Sequence, residues 1–173
     1  MILCAGSLTF RIPDEHDASW LYRLVNDALW ARFIGDRGVT NEDDAVIYAQ
    51  RCQKQFSVWG YGLMAVEQAG SGEPLGLCGL IDRGWFTGPD VGFALLPEAR
   101  GSGVATRAVK ATCEWAFSDV GVPFLTAMTH PQNRASQAVI QACGFEKEGK
   151  ISVPESQQVQ MFYRLDRPQS LGR

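Results

Sequence analysis

The segment Arg100-Gly101-Ser102-Gly103-Val104-Ala105 is the part of the chain best suited to hold a ligand. It is a basic glycine turn leading into residues at helical spacing: Val104, Ala108, Val109, Thr112, Trp115 and Ala116. The first amides of such a helix lack partners, and with the helix dipole and the Arg100 charge they suit a diphosphate. Glycine matters because a Cβ would hold a phosphate away from the main chain. A plain loop is the other reading of Gly-Ser-Gly before a helix. Two nucleotide motifs fit poorly. A P-loop needs Gly-Lys-Ser/Thr, but Val104 and Ala105 follow Gly103. A dinucleotide fingerprint needs a third glycine where Thr106 stands. His130 is a candidate base near neutral pH, although Pro131 after it equally fits a turn-shaping role. Trp30, Phe33, Trp59, Trp85 and Phe86 fall in or beside expected loops, where some could wall an acceptor pocket.

The scaffold for these residues is mixed. Leu8 to Ile12 alternates as a strand, and Asp14 to Leu29 reads as a helix with Trp20, Leu21, Leu24 and Val25 on one face. A loop from Phe33 to Val39 precedes a helix whose start is a capping box of Thr40 and Asp43. Strands follow at 61–68, 75–82 and 90–96, with Gly70-Ser71-Gly72 as a hairpin turn. A helix from Gly103 to Ser118 leads to a strand from Phe124 to Thr129. Asn133 then caps a helix that ends near Gly144. Two strands, 146–152 and 158–165, close the chain. One domain over 1–173 is expected, with 1–7 and 168–173 as frayed tails. The order of elements is α+β rather than a strict βαβ array.

Composition narrows the function classes. The net charge of −3 gives no electrostatic case for nucleic acid or an anionic membrane surface. No apolar run reaches the length of a membrane span, and the first residues lack the pattern of a secretory leader. Five cysteines without CxxC spacing read as reduced, buried thiols, which implies a cytoplasmic setting. Two histidines exclude a multi-histidine metal centre, and no metal is expected.

The glycine turn and the blocks around it resemble the GCN5-related N-acetyltransferase (GNAT) superfamily. The family motif of Arg or Gln, two variable residues, Gly, one variable residue, then Gly or Ala is met by Arg100 to Ala105. Gly92-Phe93-Ala94-Leu95-Leu96-Pro97, Asn133-Arg134-Ala135-Ser136 and Cys143-Gly144-Phe145-Glu146-Lys147-Glu148-Gly149 resemble its ribosomal-protein N-terminal acetyltransferase branch. The resemblance implies a mostly antiparallel mixed sheet with a splayed parallel strand pair, flanked by about four helices. It implies acetyl-CoA as co-substrate, its pantetheine arm against Ala94, Leu95 and Leu96 with Asn133 and Ser136 nearby. Gly101, Ser102, Gly103, Val104 and Ala105, with Arg100 and Thr106, would surround the pyrophosphate.

The same resemblance implies the chemistry. An amide near Ala94 or Leu95 would donate to the thioester carbonyl, an effect worth about 3 kcal/mol per donor. Ile140 stands where many members carry a proton-donating tyrosine; in the resembled branch a serine at the place of Ser136 can take the acid role, with water as the alternative. Glu155 stands where the branch carries its base, although the loop around it is short; His130 and water are the alternatives. Trp30, Phe33 and Trp85 are the candidate acceptor-binding residues. The implied acceptor is a protein or peptide N-terminal amine. A small amine (an antibiotic, polyamine or amino acid) is the alternative, and a non-catalytic CoA-binding module is the third reading. A monomer or homodimer is expected.

Overall fold

The computed structural model describes residues 1–85, 87–154 and 156–169. Its centre is an eight-stranded sheet in the order β1-β2-β3-β4-β5-β6-β8-β7. The strands are β1 Leu3–Ala5, β2 Leu8–Arg11, β3 Leu63–Gln68, β4 Pro74–Ile81, β5 Asp90–Leu95, β6 Phe124–Thr129, β7 Glu146–Ser152 and β8 Val159–Asp166. Five α-helices flank it: α1 Ala18–Val25, α2 Ala28–Phe33, α3 Glu42–Trp59, α4 Val104–Trp115 and α5 Arg134–Ala142. All pairings are antiparallel except that of β5 with β6. A parallel pair cannot be closed by a hairpin, and α4 supplies the crossover.

Strand alternation divides the apolar residues between two layers. One face carries Phe10, Met64, Val66, Cys78, Leu80 and Val91 against Val104, Ala108 and Val109 of α4. The other carries Ala65, Leu77 and Leu96 against Leu21, Leu24 and Val25 of α1, Trp30 of α2 and Ala45 and Ala49 of α3. A polar cluster ties the second layer down. Asp17 is buried, accepts from the two terminal guanidinium nitrogens of Arg11 at 2.7 Å, and accepts from the Trp20 indole at 2.7 Å.

β5 and β6 touch at one point. Six residues of β5 pair with β4 and six of β6 pair with β8, but β5 and β6 share only Asp90 opposite Thr126. There the Thr126 amide donates to the Pro89 carbonyl at 3.1 Å, and its hydroxyl donates to Asp90 Oδ1 at 3.2 Å. Beyond that contact the strands part, each held by its outer neighbour.

Several expectations are corrected. Residues 3–5, placed in a loose tail, form β1 on the edge of the sheet. The helix expected over Asp14–Leu29 is broken: Asn26 Nδ2 donates to the Tyr22 and Val39 carbonyls, and Asp27 caps a new helix by accepting from the Leu29 amide. That break makes α2 and raises the helix count from four to five. The third helix is capped one residue later than expected, with Asn41 accepting from the Asp44 amide while Asp44 reaches back to Thr40. The crossover helix widens over Ala116–Val120 and closes where Gly121, at φ 79°, donates to the carbonyl five residues back. Cys4 is exposed rather than buried.

Asp90 sits fully buried at the splay point, and desolvation pushes its carboxyl up to about 6 against the pull of Arg83 at 2.8 Å. A folded-state value above the unfolded one contributes stability at low pH. That stability is lost as pH climbs from about 4 to about 6 and amounts to roughly 3 kcal/mol. Asp90→Asn removes the titration. Denaturant unfolding at pH 4 and pH 7 should show wild type losing roughly that much relative to the variant; a pH-independent difference would contradict the assignment.

Candidate active site

The parting of β5 and β6 opens a groove whose walls follow from hydrogen-bond parity. The Leu96 amide donates to the Leu75 carbonyl at 2.9 Å, so residues 96, 94, 92 and 90 direct their main chain toward β4. Phe93 and Leu95 therefore direct theirs into the gap. The donors available to a strand-like ligand are those of Phe93 and Leu95, not the Ala94 and Leu96 amides also expected. Leu96 is buried in the layer of α1, α2 and α3 and lines neither cleft. Ala94 contributes its side chain to the wall.

At the C-terminal end of β5 lies the glycine turn. Gly103 precedes α4 at φ 75°, a conformation that an L side chain rarely adopts, and no side chain caps the helix. Among the described residues, no protein acceptor meets the amides of residues 101 to 106. Free donors at a helix start are an arrangement suited to an anion. Arg100 plays a different part from the one expected. Its Nε and Nη2 donate to the Leu95 carbonyl, and Nη2 also donates to Asp27 Oδ1 at 2.6 Å. Burial alone would raise the Asp27 carboxyl, but Arg100 outweighs it and holds the group below the usual range. This pair locks the start of α2 to the end of β5. The cation lying over the turn is Arg107, whose Nη1 donates to the Ser102 carbonyl at 3.0 Å. Nothing in the motif singled it out.

Two clefts meet in the gap. One, of about 360 Å³, runs from Gly101, Gly103 and Thr106 past Leu95 to Ala135 and Val139. The other, of about 440 Å³, lies between α2, β5 and the start of β8 and includes Tyr48, Arg83, Gly92, His130 and Gln160. Trp30, Phe33, Ile34, Phe93, Ala94, Asn133 and Ser136 border both. A molecule stretched along the first cleft would present its end to one held in the second.

The residues expected to act are placed as follows. Asn133 caps α5 by accepting from the Ser136 amide at 3.1 Å, and its side chain borders both clefts. The Ser136 hydroxyl has no protein partner among the described residues. Ile140 is buried in the core and faces no cleft. Trp30 and Phe33 wall the junction; the Trp30 indole donates to the Gly35 carbonyl, and Phe33 packs on His130 at 5.4 Å. Trp85 is half-buried and lines neither cleft, nor does Trp59. Glu155 and Phe86 lie outside the described residues. His130 Nδ1 accepts from the Gln132 amide at 3.1 Å, so in the neutral ring the proton sits on Nε2 and the free nitrogen donates. That geometry supports the turn-shaping role. Burial pushes the thiols of Cys52 and Cys78 up to about 12, and no cysteine lines either cleft. The described residues hold no cluster suited to a metal ion.

Comparison with known proteins agrees with this geometry. Residues 7–146 match the family model of the acetyltransferase (GNAT) domain, so the chain belongs to the GNAT acetyltransferases. An aminoglycoside N(6')-acetyltransferase type 1 of Klebsiella pneumoniae is 28% identical over 169 residues, covering 90% of this chain and 82% of the relative. A GNAT-family acetyltransferase of Bacillus anthracis superposes with a TM-score of 0.81 at 20% identity, over 96% of this chain and 98% of the other. A ribosomal-protein-alanine acetyltransferase of Vibrio fischeri gives 0.77 at 20% identity, over 94% of each chain. An aminoglycoside acetyltransferase in complex with coenzyme A gives 0.76 at 21% identity, over 93% and 95%. The chain is an acetyl-CoA-dependent N-acetyltransferase.

The glycine turn gives a direct test. Gly103→Val places a β-branched residue at positive φ, and its Cβ would stand 3.2 Å from the Arg107 guanidinium. The expected outcome is a loss of about 1–2 kcal/mol of stability and at least ~10-fold weaker CoA binding by calorimetry. Unchanged affinity would remove the turn from the cofactor site.

Proposed function

We propose that this chain transfers the acetyl group of acetyl-CoA directly to the primary amine of a small molecule held in the 440 Å³ cleft. The observation that carries this is the junction: both clefts end on Phe93, Asn133 and Ser136. The cleft volume lies in the range of small-ligand sites. Two curated relatives matched over 90% of the chain are aminoglycoside acetyltransferases, which also favours a small acceptor.

In this reading the six amides of residues 101 to 106 hold the diphosphate, and Phe93 and Leu95 align the pantetheine arm as an added strand. The Leu95 or Phe93 amide polarises the thioester carbonyl. Ser136 stands where a departing thiolate would need a proton, and with a thiol pKa near about 8.5 a weak donor suffices. The acceptor must arrive neutral. For an amine of pKa about 7.8 that costs about 1 kcal/mol at pH 7, against about 4.6 kcal/mol for a lysine-like amine. Among the described residues no carboxylate lines the acceptor cleft, so the proton leaves through water, through His130, which lines the cleft, or through Glu155. What supports Glu155 is its place in the chain: Val153 and Ser156 on either side line the cleft.

A peptide N-terminal amine is the second reading. The ease of deprotonating such an amine in a site without a described carboxylate favours it, as does the likeness to the Vibrio fischeri protein.

Free-thiol release with acetyl-CoA and a panel of small amines and peptides separates the readings. Small amines should turn over at least ~10-fold faster, as kcat/KM, than peptides carrying the same terminal amine; the reverse order would select the peptide reading. Glu155→Gln should lower the rate most at acidic pH, and an unaltered pH–rate curve would clear Glu155 of the role of base.

A further inference from the structure

The cleft assigned to the acceptor has a charge unlike that of the whole chain. The protein carries a net charge of −3, yet every charged residue among the described lining of this cleft is an arginine: Arg32, Arg37 and Arg83. They come from α2, the loop after it, and the β4–β5 connection. Arg83 has its Nε and Nη2 on Asp90, leaving Nη1 without a protein partner among the described residues. Arg32 packs over the Phe33 ring at 4.9 Å and makes only a 3.5 Å contact with the neutral Gln132 side chain. Arg37 has no ion pair among the described residues. Asp36, next in the chain, accepts from the Gly38 amide and lines neither cleft. One carboxylate at Glu155, outside the described residues, would still leave the guanidinium groups in excess.

We infer that the acceptor amine also carries an oxyanion, a carboxylate or a phosphate, which Arg32, Arg37 and Arg83 meet in the cleft. The inference rests on the acetyl-transfer reading above and names the acceptor class for it. Guanidinium forks match planar carboxylates and phosphates, and aligned like charges in a walled cleft concentrate the opposite charge. Asp90 offsets Arg83 alone, so a polycationic amine would still meet the unpaired charges of Arg32 and Arg37. The apolar side of the cleft, Leu77, Ile81 and Phe93, would hold the body of such a molecule between its amine at the junction and its anionic end at the arginines.

The test uses matched amines: 2-aminoethyl phosphate, 3-aminopropanoate, 2-aminoethanol and 1,3-diaminopropane. Thiol release gives kcat/KM, and calorimetry with CoA present gives binding without turnover. The anionic amines should exceed the neutral one at least tenfold, and the phosphate and carboxylate arms show which oxyanion is preferred. Arg37→Ala and Arg32→Ala should each collapse that preference toward one through KM, with the KM for acetyl-CoA unmoved. Preference for the diamine or the neutral amine, or equal losses on charged and neutral amines, would overturn the inference while leaving acetyl transfer intact. Conversely, arginine-dependent binding of an anionic amine with no thiol release would uphold the charge assignment and sink the transfer reading.

Discussion

The site depends on one contact, that of β5 with β6 at Asp90 and Thr126. A longer parallel ladder would satisfy the inner edges of both strands and leave no gap. No contact at all would leave them free to drift. Pinned at one end and bound along their outer edges by β4 and β8, they diverge without loss of order. The interior edge they expose is an unpaired strand edge, a feature folded proteins otherwise cover. Here it is shielded from other chains by α2, α4 and α5 and remains open to a narrow ligand.

The second requirement is that the mouth of the gap keep its shape. Arg100 holds the Leu95 carbonyl and Asp27 together, so the end of β5 and the start of α2 move as one. α2 in turn carries Trp30 and Phe33 to the wall common to both clefts. An arginine that the motif presents as a phosphate ligand is thus a brace. In the proposed reading the diphosphate is left to main-chain amides, with Arg107 above the turn.

Much of the sheet and of α4 and α5 was legible in the letters, because apolar period and glycine turns mark them directly. The splayed pair was legible only through the family motif, since nothing in the composition of Asp90–Leu95 says where pairing ends. The break between α1 and α2 was missed because Asn26 and Asp27 fit an amphipathic helix until the carbonyl of Val39 comes within reach. Residue letters likewise do not tell which amides of a strand face its left or right neighbour; the Leu96 to Leu75 bond decides that in favour of Phe93 and Leu95. The arginine lining could not be read at all, because its members lie 5 to 51 positions apart in the chain and meet only through the fold.

The cradle of six amides has a further consequence. On the present reading it grips a diphosphate, and that group is identical before and after the acetyl group departs. The turn is therefore blind to progress of the reaction. Spent coenzyme competes with fresh donor on nearly equal terms at this end, and only the short stretch by Phe93 and Leu95 can tell them apart. Turnover would then follow the ratio of charged to discharged carrier rather than the amount of either.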